Sequence, residues 1–323
     1  MAFIEFFARA LREEERFLYV DWEIMTATYI LMAVGLFLPD KKVMVVFLEF
    51  WYKWYKVDDN RFLYHFADHN IDGTYIHVPQ SLVGAYKGYV SLNRLYSWSD
   101  VTPTTNVSLS DFRSYAKARG TGYQVIDFQQ HCVIAMMLYA KYKTRNTQAV
   151  LGTGGAISDP ATTTGSSNEI GNVDTKNENS KYVSGLGLEG VFGGIFEWVD
   201  GVEINNRVWK ITDPDGSTRN VNAATSDGWI TNIAAENGPF FDMVPTNVGG
   251  SETTHYSDHY DQSSDVNLVL ARSAYDSYSY DGVAFVDAFY DASSMYPYYG
   301  SRLAFRGTIS EVSPEQFKKL PAL

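Results

Sequence analysis

A chain of 323 residues can hold one large or two medium domains and bury a substantial core. Its formal net charge of −12 argues against a protein that tracks nucleic-acid phosphates, and 15% aromatic content with only 10 prolines argues against a disordered chain. The single cysteine, Cys132, rules out an intramolecular disulfide, and its setting in the apolar run CVIAMMLYA predicts a buried, inert thiol.

Residues 2–18 have helical spacing, with Phe3, Phe6, Phe7, Ala10, Leu11 and Phe17 on one side and EEER on the other. The apolar run Ile24–Leu38 follows an acidic segment. It lacks the basic start and cleavage site of a secretory signal, and it falls short of the roughly 20 residues of a membrane helix. It reads as a core or assembly segment, with a membrane-associated stretch or a misassigned start as the alternatives. A second apolar block, VMVVFLEFWYKWY, occupies 43–55.

From about 43 to 100 the pattern turns to short strands. FLYHFAD, TYIHV and GYVSLNRLYSW are aromatic and β-branched runs split by Asp, Asn and Gly, and Asn93-Arg94 suggests a hairpin turn. Two helices follow. Ser108 or Ser110 can cap DFRSYAKAR, which stops at Gly120. Asp127 can cap FQQHCVIAMMLYAKYK, whose Val133, Met136, Met137 and Ala140 form a core stripe. Residues 151–181 are rich in Gly, Ser, Thr and Asn without apolar periodicity, which suggests a surface insertion. The stretch 185–221 reads as strands and a hairpin, with Asp213-Pro214-Asp215-Gly216 at the tip.

Candidate chemistry is thin. The histidines of YHFADHNIDGTYIH and HYSDHY do not match a closed set of zinc ligands or the helical HExxH spacing. Asp213 and Asp215 lack the further carboxylates of a calcium loop. Glu197 and Asp200, flanking Trp198, are expected to be packing and turn residues and not an acid–base pair. No metal, cofactor or catalytic residue is expected.

The informative tract is 273–300, which holds seven of the chain's 23 tyrosines with five serines, four aspartates and no Lys, Arg or Glu. Tyrosine offers a rigid amphipathic contact surface, and Ser, Gly and Asp supply adaptable hydrogen bonds, as in antibody paratopes. The candidate ligand-binding residues are Ser273, Tyr275, Ser277, Tyr278, Tyr280, Asp281, Asp287, Tyr290 and Asp291, with Tyr256 and Tyr260 as further candidate anchors. Phe285 and Phe289 are expected to turn inward.

GLGLEGVFGGIFEWVDG (185–201) and YYGSRLAFRG (298–307) resemble the C-type-lectin-like fold shared by formylglycine-generating enzymes and the variable proteins of diversity-generating retroelements. Residues 101–154 resemble the helical portion of such proteins in gut-bacterial phages, and the likeness covers roughly 85–307. The enzyme branch of that family uses a cysteine pair near its C-terminal end, and here only Cys132 exists, far upstream. The calcium-site motifs of sugar-binding lectins are missing too. The resemblance therefore implies the binding branch, in which residues just before the last strand are diversified. It implies an α+β fold with a lectin-like domain at 81–323, after an N-terminal attachment region at 1–80. The expected activity is receptor binding on a phage tail or fibre, with a host cell-surface protein or glycan as ligand. Other virion proteins are expected to contact the N-terminal region, the chain is expected to be a homo-oligomer, and no nucleic acid is expected. The rival is a structural virion component whose aromatic tract packs against neighbouring subunits. A protein displayed on the bacterial surface is a third option.

Overall fold

The computed structural model describes residues 18–20, 34–38, 42–58, 61–153, 163–167, 183–273 and 282–308. The expected helix over 2–18 lies outside these residues, apart from Leu18, which begins a short strand. The architecture is mixed and mostly sheet, with three α-helices among the described residues.

Alternating burial builds the strands. In Phe50–Lys56, Tyr52 and Trp54 face the core while Tyr55 is exposed. This period of two suits a sheet with one solvated face. The strand pairs with Phe62–Ala67 and Ile76–Val78, and Leu18–Val20 completes a four-stranded sheet. The apolar block at 43–55 is thus two strands, Lys42–Phe47 and Phe50–Lys56, separated by the exposed Leu48 and Glu49. Part of the ambiguous run 24–38 is the strand Val34–Leu38, paired with Lys42–Phe47. No helix among the described residues is long and apolar enough to cross a membrane.

A five-stranded antiparallel sheet brings together strands from early and late in the sequence. Its order is Tyr123–Val125, Leu303–Phe305, Ser81–Gly84, Lys42–Phe47, Val34–Leu38. Hydrogen bonding therefore runs across residue 80, where the sequence reading starts the lectin-like domain. The expected closing strand after the tyrosine tract is Leu303–Phe305, set between two partners.

The largest sheet has nine strands and carries Phe196–Asn205, Leu268–Arg272, Val286–Ala288 and His259–Gln262 side by side. Val286–Ala288 runs parallel to His259–Gln262, with Asp287 opposite Asp261. Tyr299–Gly300 pairs in parallel with the start of Phe196–Asn205.

The helices sit against these sheets. Helix α1, Leu109–Lys117, is capped by Ser108, whose Oγ accepts from the Asp111 amide at 3.0 Å. Helix α2, Phe128–Tyr142, opens on a capping box in which Asp127 and Gln130 exchange side-chain and backbone bonds. Apolar on nearly every side, α2 is buried along most of its length, as a central helix must be. It ends on Lys143 in the left-handed region (φ 56°), without the usual glycine. A third helix, α3 (Thr147–Leu151), is not among the sequence expectations; Asn146 caps it. Cys132 is buried on α2, and burial pushes its thiol up to about 12.

Two local expectations shift. The hairpin turn is Leu92-Asn93 and not Asn93-Arg94, because Ser91 pairs with Arg94 and both turn residues have positive φ. Within the expected insertion at 151–181, Thr164 and Ser167 are buried, bound to Val101 and Glu189 respectively.

Candidate functional site

The tyrosine tract begins at the end of the strand Leu268–Arg272. Ser273 adopts a left-handed conformation (φ 61°) and is buried. Its hydroxyl donates to the Gly193 carbonyl at 3.2 Å and accepts from Lys87 Nζ at 3.1 Å. Ser273 is therefore a pivot within the fold and not a contact residue. Tyr275, Ser277, Tyr278, Tyr280 and Asp281 lie outside the described residues.

At 282–285 buried side chains from elsewhere hold the backbone. Asp258 accepts from the Gly282 amide at 2.7 Å, the Ala284 amide at 2.8 Å and Gln148 Nε2 at 2.9 Å. Arg272 donates to the carbonyls of Ala284 and Phe285, and His131 reaches the Val283 carbonyl at 3.1 Å. Gly282 is required by close approach, since an added Cβ would stand 2.5 Å from Asp258 Oδ1. Burial pushes Asp258 up to about 7 and lowers Arg272 to about 10. Burial also lowers His131 to about 3, so its imidazole is neutral at physiological pH.

Further along, the tract is pinned by its carbonyls. Tyr290 O accepts from the Val269 amide at 2.8 Å, Ala292 O from Ser110 at 3.0 Å, Tyr296 O from Asn106 at 3.0 Å and Tyr298 O from Phe196 at 3.0 Å. Every donor is a framework amide, and every acceptor is main chain. Such contacts fix the path of the tract without specifying its side chains.

Those side chains form an exposed ridge. Phe289 (42% exposed), Met295 (55%), Tyr296 (36%) and Tyr298 (42%) are four of the nine exposed large hydrophobic residues among the described ones. Four such residues within ten positions concentrate exposed apolar side chains on this stretch, whereas scattered single ones need no explanation. The half-buried Tyr290 ring lies 4.2 Å from Tyr296 and edge-on to Tyr299, so the ridge rests on a packed aromatic base. Behind it Tyr299 stacks on Phe196 and Trp198.

The structure sorts the remaining candidates. Asp291 is exposed; its carboxylate accepts from Ser293 and Ser294 and is held below the usual range chiefly by the Ser293 hydroxyl. Asp287 points into the sheet surface, where its Oδ2 accepts from the Tyr299 hydroxyl at 3.0 Å. Burial, reinforced by Asp261, pushes Asp287 up to about 7. Tyr256 and Tyr260 are core residues, bonded to Glu236 and to Gln262, and are not anchors. In the strand His259–Gln262 the pleat sends Tyr260 inward and leaves Asp261 half-buried. Phe285 is buried as expected, but Phe289 faces out, because the strand Val286–Ala288 ends just before it. Sequence reading does not single out Phe289, Met295, Tyr296 or Tyr298 as contact residues. The turn signals Asp291-Ala-Ser-Ser and Pro297 are the available clue that this stretch lies on the surface.

Under the tract sits a buried ionic cluster. Arg302, from the segment before the last strand, donates to Glu197 Oε1 at 2.9 Å and to the carbonyls of Gly84, Glu189 and Gly190. Lys87 Nζ lies 3.2 Å from the same Glu197 oxygen, and burial lowers this lysine to about 8. With both cations engaged on it, Glu197 is a structural counter-ion. Asp200 instead pairs with Arg113 at 2.6 Å. Among the described residues no group of three or more His, Cys, Asp or Glu converges on a possible metal position. A separate cleft of about 460 Å³ lies between α2 and the 213–217 turn, where Arg219 is forked by Asp213 and Asp242.

No protein-family model matches the sequence, and no curated protein matches it significantly.

Proposed function

We propose that this chain is a ligand-binding protein of a phage virion, a tail or fibre component that presents the 273–300 tract to a host-surface protein or glycan. On this reading the body is a C-type-lectin-like variable domain, and binding proceeds without turnover. The observation that carries it is the way the tract is held. Main-chain atoms of 282–285, 290, 292, 296 and 298 are bound by groups outside the tract, while Phe289, Met295, Tyr296 and Tyr298 face solvent. A frame that grips backbone tolerates side-chain change, which is what a diversified surface requires. Exposed Tyr residues over a packed aromatic base supply rigid contact area at low entropic cost. A homo-oligomer would add avidity on a particle carrying several copies.

The rival reading, a structural component whose ridge packs against a neighbouring subunit, draws on the same exposed aromatics. Particles carrying Tyr296→Ala with Tyr298→Ala separate the two. Normal assembly with lost adsorption to host cells supports ligand binding. Failed assembly supports the structural role, and normal assembly with normal adsorption refutes the ridge as a binding surface.

A further inference from the structure

The exposed charges described around the ridge are acidic, whereas the nearby Lys87, Arg272 and Arg302 are buried. The three stretches that build its surroundings, 101–112, 255–271 and 282–300, contain no lysine or arginine. Their carboxylates are distributed around it. Asp291 lies in the ridge itself, with its charge favoured by Ser293. Asp111 lies in the first turn of α1, next to the Ser110 amide that holds Ala292. Asp265 is exposed on the segment leading to the Leu268–Asp291 bridge. Arg113, on the same helix as Asp111, is engaged by both oxygens of Asp200.

Resting on the reading of the ridge as a binding surface, we infer that its partner is a basic polypeptide surface. Arginine or lysine side chains lie across Tyr296, Tyr298 and Phe289, with their charged ends at Asp291 and Asp111. A guanidinium is attracted to the face of a tyrosine ring, and its aliphatic stem covers apolar surface on the way. Carboxylates at the rim steer a basic partner inward and repel an acidic one. An acidic glycan is disfavoured by the same charges. A neutral glycan would cover the carboxylates without supplying a counter-charge.

The test measures binding of the full chain to two synthetic dodecapeptides, one of repeating Arg-Ser-Gly and one of repeating Glu-Ser-Gly, at near-physiological salt. The basic peptide is expected to bind at least about tenfold tighter than the acidic one. Asp111→Asn with Asp291→Asn is expected to weaken it about fivefold, and Tyr296→Ala about tenfold. Asp72→Asn with Asp215→Asn removes the same charge elsewhere on the surface and should leave binding within about twofold. Equal weakening by that control pair shows only general attraction to an acidic chain and overturns the inference, as does equal binding of the two peptides. If Tyr296→Ala abolishes host adsorption but the basic peptide is not preferred, this inference fails while the binding reading stands. If Tyr296→Ala changes neither adsorption nor peptide binding, both fail.

Discussion

Truncating Asp258 to alanine should loosen the 282–285 segment of the tract more than any change on the ridge itself. The carboxylate is 1% exposed and accepts three hydrogen bonds, from the Gly282 and Ala284 amides and from Gln148. Alanine leaves those three donors buried without an acceptor, at about 1–3 kcal/mol each, and partial relaxation brings the sum to about 3–6 kcal/mol. That is a large part of the roughly 5–15 kcal/mol by which a folded domain is stable. Urea unfolding at pH 6 reads the total, and hydrogen exchange at Gly282 and Ala284 reads the site. A loss below about 1 kcal/mol, with both amides still protected, would refute the clamp.

The same group sets a pH dependence. Its folded value, about 7, lies above the ordinary 3.8, so its contribution is complete below about pH 4 and is lost as pH rises through about 7. The span corresponds to about 4 kcal/mol at most. Asp258→Asn should therefore flatten the fall in stability between about pH 4 and pH 7. Asp287, raised in the same direction, keeps part of that slope in the variant. An unchanged slope would mean that Asp258 titrates normally in the fold.

Two further substitutions probe the frame. Glu197→Gln leaves Lys87 and Arg302 buried without their shared counter-charge, and urea titration should show a loss of about 3–5 kcal/mol; a loss under about 1 kcal/mol contradicts the cluster. Leu92→Asn relieves a left-handed leucine (φ 47°) that is 91% exposed, and a gain of about 1 kcal/mol should raise Tm by roughly 2 °C, whereas a fall would contradict the turn assignment.

The parts of the fold legible in the sequence are those set by local chemistry. Ser108 and Asp127 cap their helices because a side-chain oxygen is in reach of a free amide two or three residues on. Asp213-Pro214-Asp215-Gly216 forms its turn because Gly216 takes φ 84° without a Cβ clash. What escapes depends on partners distant in sequence. The pairing of Lys42–Phe47 with Ser81–Gly84, and of Leu303–Phe305 with both Tyr123–Val125 and Ser81–Gly84, has no local signature. The candidate site divides in the same way. Composition singles out 273–300, but tyrosine is amphipathic and suits either face of a strand. Tyr260 and Tyr256 therefore go to the core and Tyr296 and Tyr298 to the surface. The clamp residues Asp258, Arg272 and His131 are invisible as such in the sequence, because their role is defined only by the backbone they meet.

On the proposed reading the frame holds the tract by its main chain, so that its exposed side chains can change, and those exposed side chains are the ones that bind. Replacing Tyr275, Tyr278 and Tyr280 by serine, together with Tyr296→Ala and Tyr298→Ala, tests both halves in one protein. The expected result is an unfolding midpoint within about 3 °C of the parent, with host adsorption abolished. A collapse of the midpoint, or adsorption that persists at the parent level, would contradict the account.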